Sequence, residues 1–261
     1  MKQKMRLHLV QGSTSAGNPL ASLKKFQILL EDLRPRVGDF LVFPEMWPSG
    51  FSLDEKEKLT KENSVCRAWI RDYAVNRRCT LIGSMLEIYQ GRAYNQAYAI
   101  GPRGETLASY RKIHLFEFGG EHRHFSPGNK VISFPSPWGK IGLAVCYDLR
   151  FPELFRRLSE LGTRIVFLPS AWPRERLDHF RTLLKARAIE NQCFMVGLNK
   201  VGPGHHEKPV VYGGHSAIFG PWGEKLAEMG ARAGILSVEL EMAQVDRIRK
   251  LYPFLKSRVL R

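Results

Sequence analysis

Residues 40–48 read FLVFPEMWP and residues 165–173 read IVFLPSAWP. Each is a run of aromatic and β-branched residues, the composition of a strand, halted by a proline-containing loop with a tryptophan. Each leads into a helical stretch that ends in a second apolar run: CRAWIRDYAVNRRCTLIGSML (66–86) in one case, LLKARAIENQCFMVGLNKV (183–201) in the other. Both stretches carry an alanine, an asparagine and a cysteine, in that order, before an apolar run with glycine. A third match follows, AYAIGPRGETLASY (97–110) against SAIFGPWGEKLAEM (216–229). Both read as two strands joined by a tight Gly-Pro-x-Gly turn. Trp47 and Trp172 are 125 residues apart, Gly101 and Gly220 119. That period is too long for a solenoid and fits a duplicated strand–helix–strand–hairpin unit. Two such units, each a mixed sheet with helices on one face, stack sheet to sheet. The expectation is an α/β fold, a four-layer α-β-β-α sandwich with an internal pseudo-twofold repeat.

Around this frame, Met5–Val10 reads as a first strand and Phe40–Phe43 as the next. Pro19–Leu33 carries Leu20, Leu23, Phe26, Leu29 and Leu30 at helical spacing. Ile141–Val145 reads as a strand and Glu153–Leu161 as a helix. Glycine-rich loops are expected at 116–128 and 201–214. No linker or low-complexity segment interrupts the chain, so one domain over 1–261 is expected, with 241–261 as a C-terminal tail.

A chain of 261 residues, 44% hydrophobic, can bury a large core. The net charge of +15 is large. Its basic residues are dispersed and paired with acids, as in SLDEKEKLTKE (52–62), and no nucleic-acid-binding motif accompanies them. A basic surface is expected, not a nucleic-acid partner. There is no uninterrupted apolar run of about 18 residues, so no membrane span is expected. The start, MKQKMRLHLVQGS, is too short in apolar residues for a signal peptide. Cys66, Cys79, Cys146 and Cys193 show no CxxC spacing, which suits reduced thiols in a cytoplasmic protein. The histidines of HRH (122–124) and GHHEK (204–208) lack a second ligand pair at zinc spacing. Neither metal nor cofactor is expected.

Three strand ends carry chemistry. FLVF ends in Pro44-Glu45, TLASY in Arg111-Lys112, and IGLAV in Cys146, within GLAVCYDLRFPELF (142–155). Taken singly, the glutamate and the lysine are ordinary solvated residues and the cysteine a small core hydrophobe. Together they supply a base, a cation and a nucleophile at positions where strand ends converge. A thiol between a strand and a helix would also meet the first helical N–H groups, which favour a thiolate. Cys66, Cys79 and Cys193 fall inside helix-to-strand segments and read as core.

FPEMWPSGF (43–51), YRKIHLFEF (110–118) and CYDLRFPE (146–153) resemble, in order, the three signature segments of the nitrilase superfamily of carbon–nitrogen hydrolases. The resemblance spans nearly the whole chain and implies the same α-β-β-α sandwich. It implies a triad of Glu45, Lys112 and Cys146, with a second glutamate, Glu121, in FGGEHRHFSPGN. In these roles Glu45 takes the thiol proton, work that calls for a carboxylate with a raised pKa. Lys112 and the backbone N–H of Tyr147 hold the oxyanion, and Glu121 orients Lys112 or the leaving amine. SAWPRERLDHFRTLLKARAIENQCFMVGLNKVG (170–202) is most similar to the omega-amidase branch, through Trp172-Pro173, Arg176, His179, ARAIENQ (186–192) and Asn199. That branch implies a terminal amide of a dicarboxylic acid, such as 2-oxoglutaramate, whose far carboxylate an arginine would meet. Arg176 is the first candidate and Arg150 the second, unless Arg150 pairs with Asp148 or Glu153; Trp172 and Tyr147 would line the same pocket. Arg174 reads as surface. An N-carbamoyl amino acid, an aliphatic amide or a nitrile would use the same triad. The resemblance also implies a homodimer formed through the helix after the cysteine and the tail LYPFLKSRVLR (251–261).

Overall fold

The computed structural model describes residues 4–51, 56–205 and 209–259. The first half runs β1 (Lys4–Gln11), α1 (Pro19–Leu30), β2 (Phe40–Val42), α2 (Lys56–Arg77), β3 (Thr80–Tyr89), β4 (Arg92–Ile100) and β5 (Thr106–Arg111). Then come β6 (Ser133–Phe134), β7 (Lys140–Leu143), α3 (Pro152–Glu160), β8 (Thr163–Ser170), α4 (Leu177–Asn191) and β9 (Phe194–Asn199). The chain closes with β10 (Val201–His205), β11 (Pro209–Gly213), β12 (Ala217–Phe219), β13 (Lys225–Glu228), β14 (Gly234–Glu241) and α5 (Ala243–Leu251).

The duplication is visible in strand order and direction. One sheet runs β14-β1-β2-β3-β4-β5 and the other β13-β12-β9-β8-β7-β6. In each, three neighbouring strands are parallel (β1-β2-β3, β7-β8-β9) and the next two antiparallel (β4 and β5, β12 and β13). The likeness extends to single hydrogen bonds in the two turns. Gly101 and Gly104 are bonded N–H to carbonyl at 2.9 Å, as are Gly220 and Gly223. In both turns the following glutamate, Glu105 or Glu224, accepts from the backbone two residues earlier. Gly104 and Gly223 have φ of +77° and +84°, a region that glycine enters without strain.

The β-strands are apolar on both faces because both faces are covered. Between the sheets, Leu7, Leu9, Phe40 and Val42 meet Leu143, Phe167 and Val196 in one apolar cluster. On the outer face of the first sheet, Leu23, Phe26 and Leu30 of α1 and Cys66, Ile70 and Ala74 of α2 pack at helical spacing. Leu154, Phe155 and Leu158 of α3 and Phe180, Leu184 and Ala188 of α4 cover the second sheet. These are the four expected layers.

β1, β2 and α3 differ from the sequence reading by one residue at one end or both, and three differences go further. α1 stops at Leu30, not Leu33, where the N–H groups of Glu31 and Leu33 turn back onto Ile28 and Leu30 and Pro35 follows. The strand before the cysteine ends at Leu143, although the Ala144 N–H still donates to Phe167 at 3.1 Å. The glycine-rich segment 201–214 is not a plain loop, since β10 and β11 pair across it. Residues 206–208 of the GHHEK stretch lie outside the described residues.

Phe167 is fully buried and stacks on Phe40 between the sheets, with ring centroids 5.8 Å apart. Phe167→Ala is expected to destabilise the protein by about 3–5 kcal/mol, as large aromatic deletions from cores do. Urea unfolding measures it; a loss below about 1 kcal/mol would show that the sheets do not depend on this contact.

Candidate active site

Glu45 follows β2, Lys112 follows β5, and Cys146 opens a 3-10 turn (Cys146–Arg150) three residues after β7. All three side chains are buried and line one pocket, together with Glu121. The thiol therefore does not sit at the start of α3, which begins only at Pro152. Cys146 has φ of +44°, a left-handed backbone uncommon for a side-chain-bearing residue, and Met46, next to Glu45, has φ of +46°.

Each of these bends is braced by a buried polar group. The Met46 N–H donates to Ser84 Oγ at 2.8 Å. Behind Cys146, Asp148 is fully buried and accepts four hydrogen bonds. They come from the Val145 N–H (2.9 Å), the Tyr110 hydroxyl (2.7 Å), and the N–H and Nδ1 of His114 (3.0 and 2.8 Å). Tyr110 and His114 flank Lys112, so one carboxylate ties the cysteine turn to the lysine loop. Arg150 makes no ion pair with Asp148 or Glu153 among the described residues. Its guanidinium lies over Trp172 at 5.2 Å and contacts His179.

Lys112 Nζ donates to Glu45 Oε1 at 2.8 Å and to Glu121 Oε2 at 2.7 Å. Asn95, on β4, donates to both glutamates, at 2.8 and 3.1 Å. Its own Oδ1 accepts from Ser84 Oγ at 2.9 Å. Glu121 also accepts from the Phe116 N–H. Glu45 Oε2 has no hydrogen-bond partner among the described residues. An ammonium has three donors, so two are spent on carboxylates and one remains.

The electrostatics correct two expectations. Burial alone would raise the Glu45 carboxyl, but the Lys112 charge and hydrogen bond outweigh it and hold Glu45 below its ordinary range. It is Glu121 that burial raises, with repulsion from Glu45 adding to the effect against the pull of Lys112. Burial, followed by the Glu45 charge, pushes the Cys146 thiol well up, against weaker help for the thiolate from Lys112 and the Ala171 backbone. The pair therefore rests as carboxylate and thiol, not as a preformed thiolate. Burial would lower Lys112, but Glu121 and Glu45 hold it well above its ordinary value.

Above the thiol, the pocket is walled by Phe51, Phe116, Tyr147 and Trp172, with Arg150 and Arg176 also lining it. The Arg176 guanidinium lies over the Phe116 ring at 5.7 Å. The Trp172 loop is pinned by Asn199, whose Oδ1 accepts from the Trp172 N–H at 2.6 Å and whose Nδ2 donates to the Trp172 and Gly214 carbonyls. Trp172 Nε1 in turn donates to the Arg176 carbonyl at 2.7 Å. Arg174 is exposed and lines no part of this pocket. Asn95 and Asp148 were not legible as site residues: one sits mid-strand, the other beside more conspicuous charges.

A buried carboxylate, ammonium and thiol thus come together in one pocket of this two-sheet fold, and comparison with known proteins gives the family. Residues 6–250 match the family model described as carbon-nitrogen hydrolase. The chain is 33% identical over 252 residues to the 2-oxoglutaramate amidase of Bacillus subtilis (strain 168), covering 96% of each. It is 33% identical over 264 residues to a deaminated glutathione amidase of Synechocystis, covering 94% of this chain and 95% of that one. Among solved structures it is similar to a CN-hydrolase superfamily protein of Xanthomonas campestris with an arsenic adduct in its active site. That likeness has a TM-score of 0.89 at 28% identity, over 100% of this chain and 99% of the other. The chain belongs to the carbon–nitrogen hydrolase family, whose members cleave C–N bonds other than peptide bonds.

Burial pushes the thiols of Cys66, Cys79 and Cys193 up to about 12, and none of them borders this pocket. Iodoacetamide is expected to alkylate Cys146 first in the native protein, though more slowly than a free cysteine at the same pH. Peptide mapping after a time course checks this; equal labelling of all four cysteines would contradict the accessibility assigned to Cys146.

Proposed function

We propose that the protein hydrolyses the terminal carboxamide of a dicarboxylic acid, with 2-oxoglutaramate as the leading substrate, through a Cys146 thioester. The observation that carries this reading is the Lys112 ammonium clamped between Glu45 and Glu121 beside Cys146, in a pocket that also holds two arginines. The likeness to 2-oxoglutaramate amidase supports the substrate class.

Glu45 accepts the Cys146 proton as sulfur attacks the amide carbon, forming the C–S bond. The carbonyl oxygen becomes an oxyanion, met by the remaining Lys112 donor and the Tyr147 N–H. Collapse breaks the C–N bond; the nitrogen takes the proton from Glu45 and leaves as ammonia. Glu45 then takes a proton from water, whose oxygen attacks the thioester. The C–S bond breaks, the acid is released, and the sulfur recovers its proton. Glu121 holds Lys112 in place throughout. Arg176, with Arg150 beside Trp172, receives the distant carboxylate.

Cys146→Ala is expected to abolish turnover in a folded protein, and Glu45→Gln to lower it by about 10²-fold or more. A charge-assisted arginine contact contributes about 1.5–3 kcal/mol, about ten- to hundredfold in kcat/KM. 2-Oxoglutaramate and succinamate should exceed butyramide by that factor, and Arg176→Ala should erase most of the gap without slowing butyramide. Ammonia release from this panel, with deaminated glutathione included because that likeness is of equal extent, decides the substrate. Neutral amides hydrolysed as fast as anionic ones would overturn the dicarboxylic reading.

We also propose a homodimer. Trp222, Tyr252 and Phe254 form a half-exposed ring cluster, with Trp222 and Tyr252 centroids 4.4 Å apart, beside the exposed Leu251. Such a patch suits a partner surface. Light scattering at micromolar concentration should give twice the 29.8 kDa chain mass; the monomer mass would contradict the pairing.

A further inference from the structure

The reaction as written uses one lysine, and a second is buried behind the Phe51 wall of the pocket. Lys200, between β9 and β10, is fully buried, and its Nζ has no hydrogen-bond partner among the described residues. The ammonium lies 5.5 Å from the centre of the Phe51 ring and 5.0 Å from that of Tyr212. Phe51 is a wall of the substrate pocket, but Lys200 itself does not line it. Its backbone is fixed on both sides: the N–H donates to Asn199 Oδ1 at 3.0 Å and the carbonyl accepts from the Gly214 N–H at 2.9 Å. A buried cation without an ion-pair or hydrogen-bond partner is costly, and an apolar side chain would fill the same space without that cost. Something in the site must use the charge.

The cluster beside it has an imbalance. Two carboxylates, Glu45 and Glu121, share one ammonium, Lys112, which leaves one excess negative charge when both are ionised. We propose that Lys200 is a positioning residue whose buried ammonium balances this excess and keeps Glu45 in the form that accepts the Cys146 proton. The proposal rests on the reading of Glu45 as base and Cys146 as nucleophile.

The titratable groups whose charges reach Lys200 are Glu45 and Cys146, and Tyr212 sets its ring against the ammonium. Burial lowers the Lys200 ammonium to about 8, opposed by attraction first to Glu45 and then to Cys146. It is therefore still a cation at neutral and acid pH, where Glu45 must stay ionised. Glu45 in turn is held down partly by the Lys200 charge, after the larger contribution of Lys112. Burial, followed by the Glu45 and Cys146 charges, pushes the Tyr212 hydroxyl up, so it stays neutral and adds no competing charge. The two rings offer the ammonium their π-faces, a partial replacement for water.

The test is the pH profile of kcat/KM for wild type, Lys200→Met, Lys200→Arg and Cys146→Ala, using whichever of 2-oxoglutaramate, succinamate and butyramide is hydrolysed fastest. Removing a nearby positive charge raises a carboxyl pKa. Lys200→Met should therefore move the acid limb up by about one pH unit, leaving kcat/KM about tenfold lower at a pH below both limbs. The same variant should melt at a higher temperature than wild type at pH 7, because a buried unpaired charge is gone; a purely structural lysine would show the opposite. Lys200→Arg, where it folds, should leave the limb in place. If Lys200→Met turns over too slowly to profile, the pH dependence of Cys146 alkylation by iodoacetamide reads the same limb. A folded Lys200→Met variant with the wild-type limb overturns the proposal, as does an arginine variant displaced as far as the methionine one. Full activity in Cys146→Ala would instead bring down the reading of the site itself. An inactive Cys146→Ala beside an unmoved methionine variant fails Lys200 alone.

Discussion

One ammonium between two carboxylates, all three buried, sets the terms for the rest of the molecule. Removing such charges from solvent costs several kcal/mol each, and mutual attraction offsets this only where the geometry is good and the remaining lone pairs are filled. Lys112 meets both glutamates at hydrogen-bond distance, and Asn95 and the Phe116 N–H occupy further carboxylate positions. Removing one member would strand the others, at about 3–5 kcal/mol for a broken buried pair. The scaffold must therefore deliver residues from separate strand ends without slack. Two six-stranded sheets, each covered by helices, provide that rigidity.

The same demand explains the two left-handed residues. Met46 and Cys146 turn the chain sharply at Glu45 and at the thiol, and each turn is locked by a polar side chain from elsewhere, Ser84 in one case and Asp148 in the other. Ser84 also bonds Asn95, which bonds both glutamates. The backbone that aims Glu45 and the network that charges it are thus one structure.

Much of this was readable before any coordinates. The paired tryptophan loops and Gly-Pro-x-Gly turns disclosed the duplication because turn chemistry is local and leaves fixed residues behind. Glu45, Lys112 and Cys146 stood out because polar residues end apolar runs there. What the sequence concealed was long-range. Asn95 lies in a strand buried on both faces, where no alternation marks it. Asp148 looked like a partner for Arg150, yet it serves Tyr110 and His114, more than thirty residues away in sequence. The expected thiolate assumed a helix start at the cysteine, and the raised Glu45 counted burial without Lys112. Both errors came from judging a charge by its neighbours in sequence, when its neighbours in space decide its state. Glycine and proline at 201–214 suggested a loop, but backbone pairing across Val201–Gly213 overrode them.

The duplication also fixes when the pocket can form. Phe40 pairs with Leu7 and Ile165 with Ile141, so in the repeat Cys146 corresponds to Gly12 and Glu45 to Ser170. By the turn glycines, Lys112 corresponds to Ala231. Each of the three has a counterpart of different chemistry, and the counterparts Glu45 and Ser170 meet directly through an N–H to carbonyl contact of 3.4 Å. The first half brings Glu45 and Lys112, the second brings Cys146, and neither contains all three. During synthesis the carboxylates and Lys112 emerge before Cys146. Cys146 meets Glu45 and Lys112 only once the second sheet has docked on the first, so the pocket itself is a product of the assembly of the two halves.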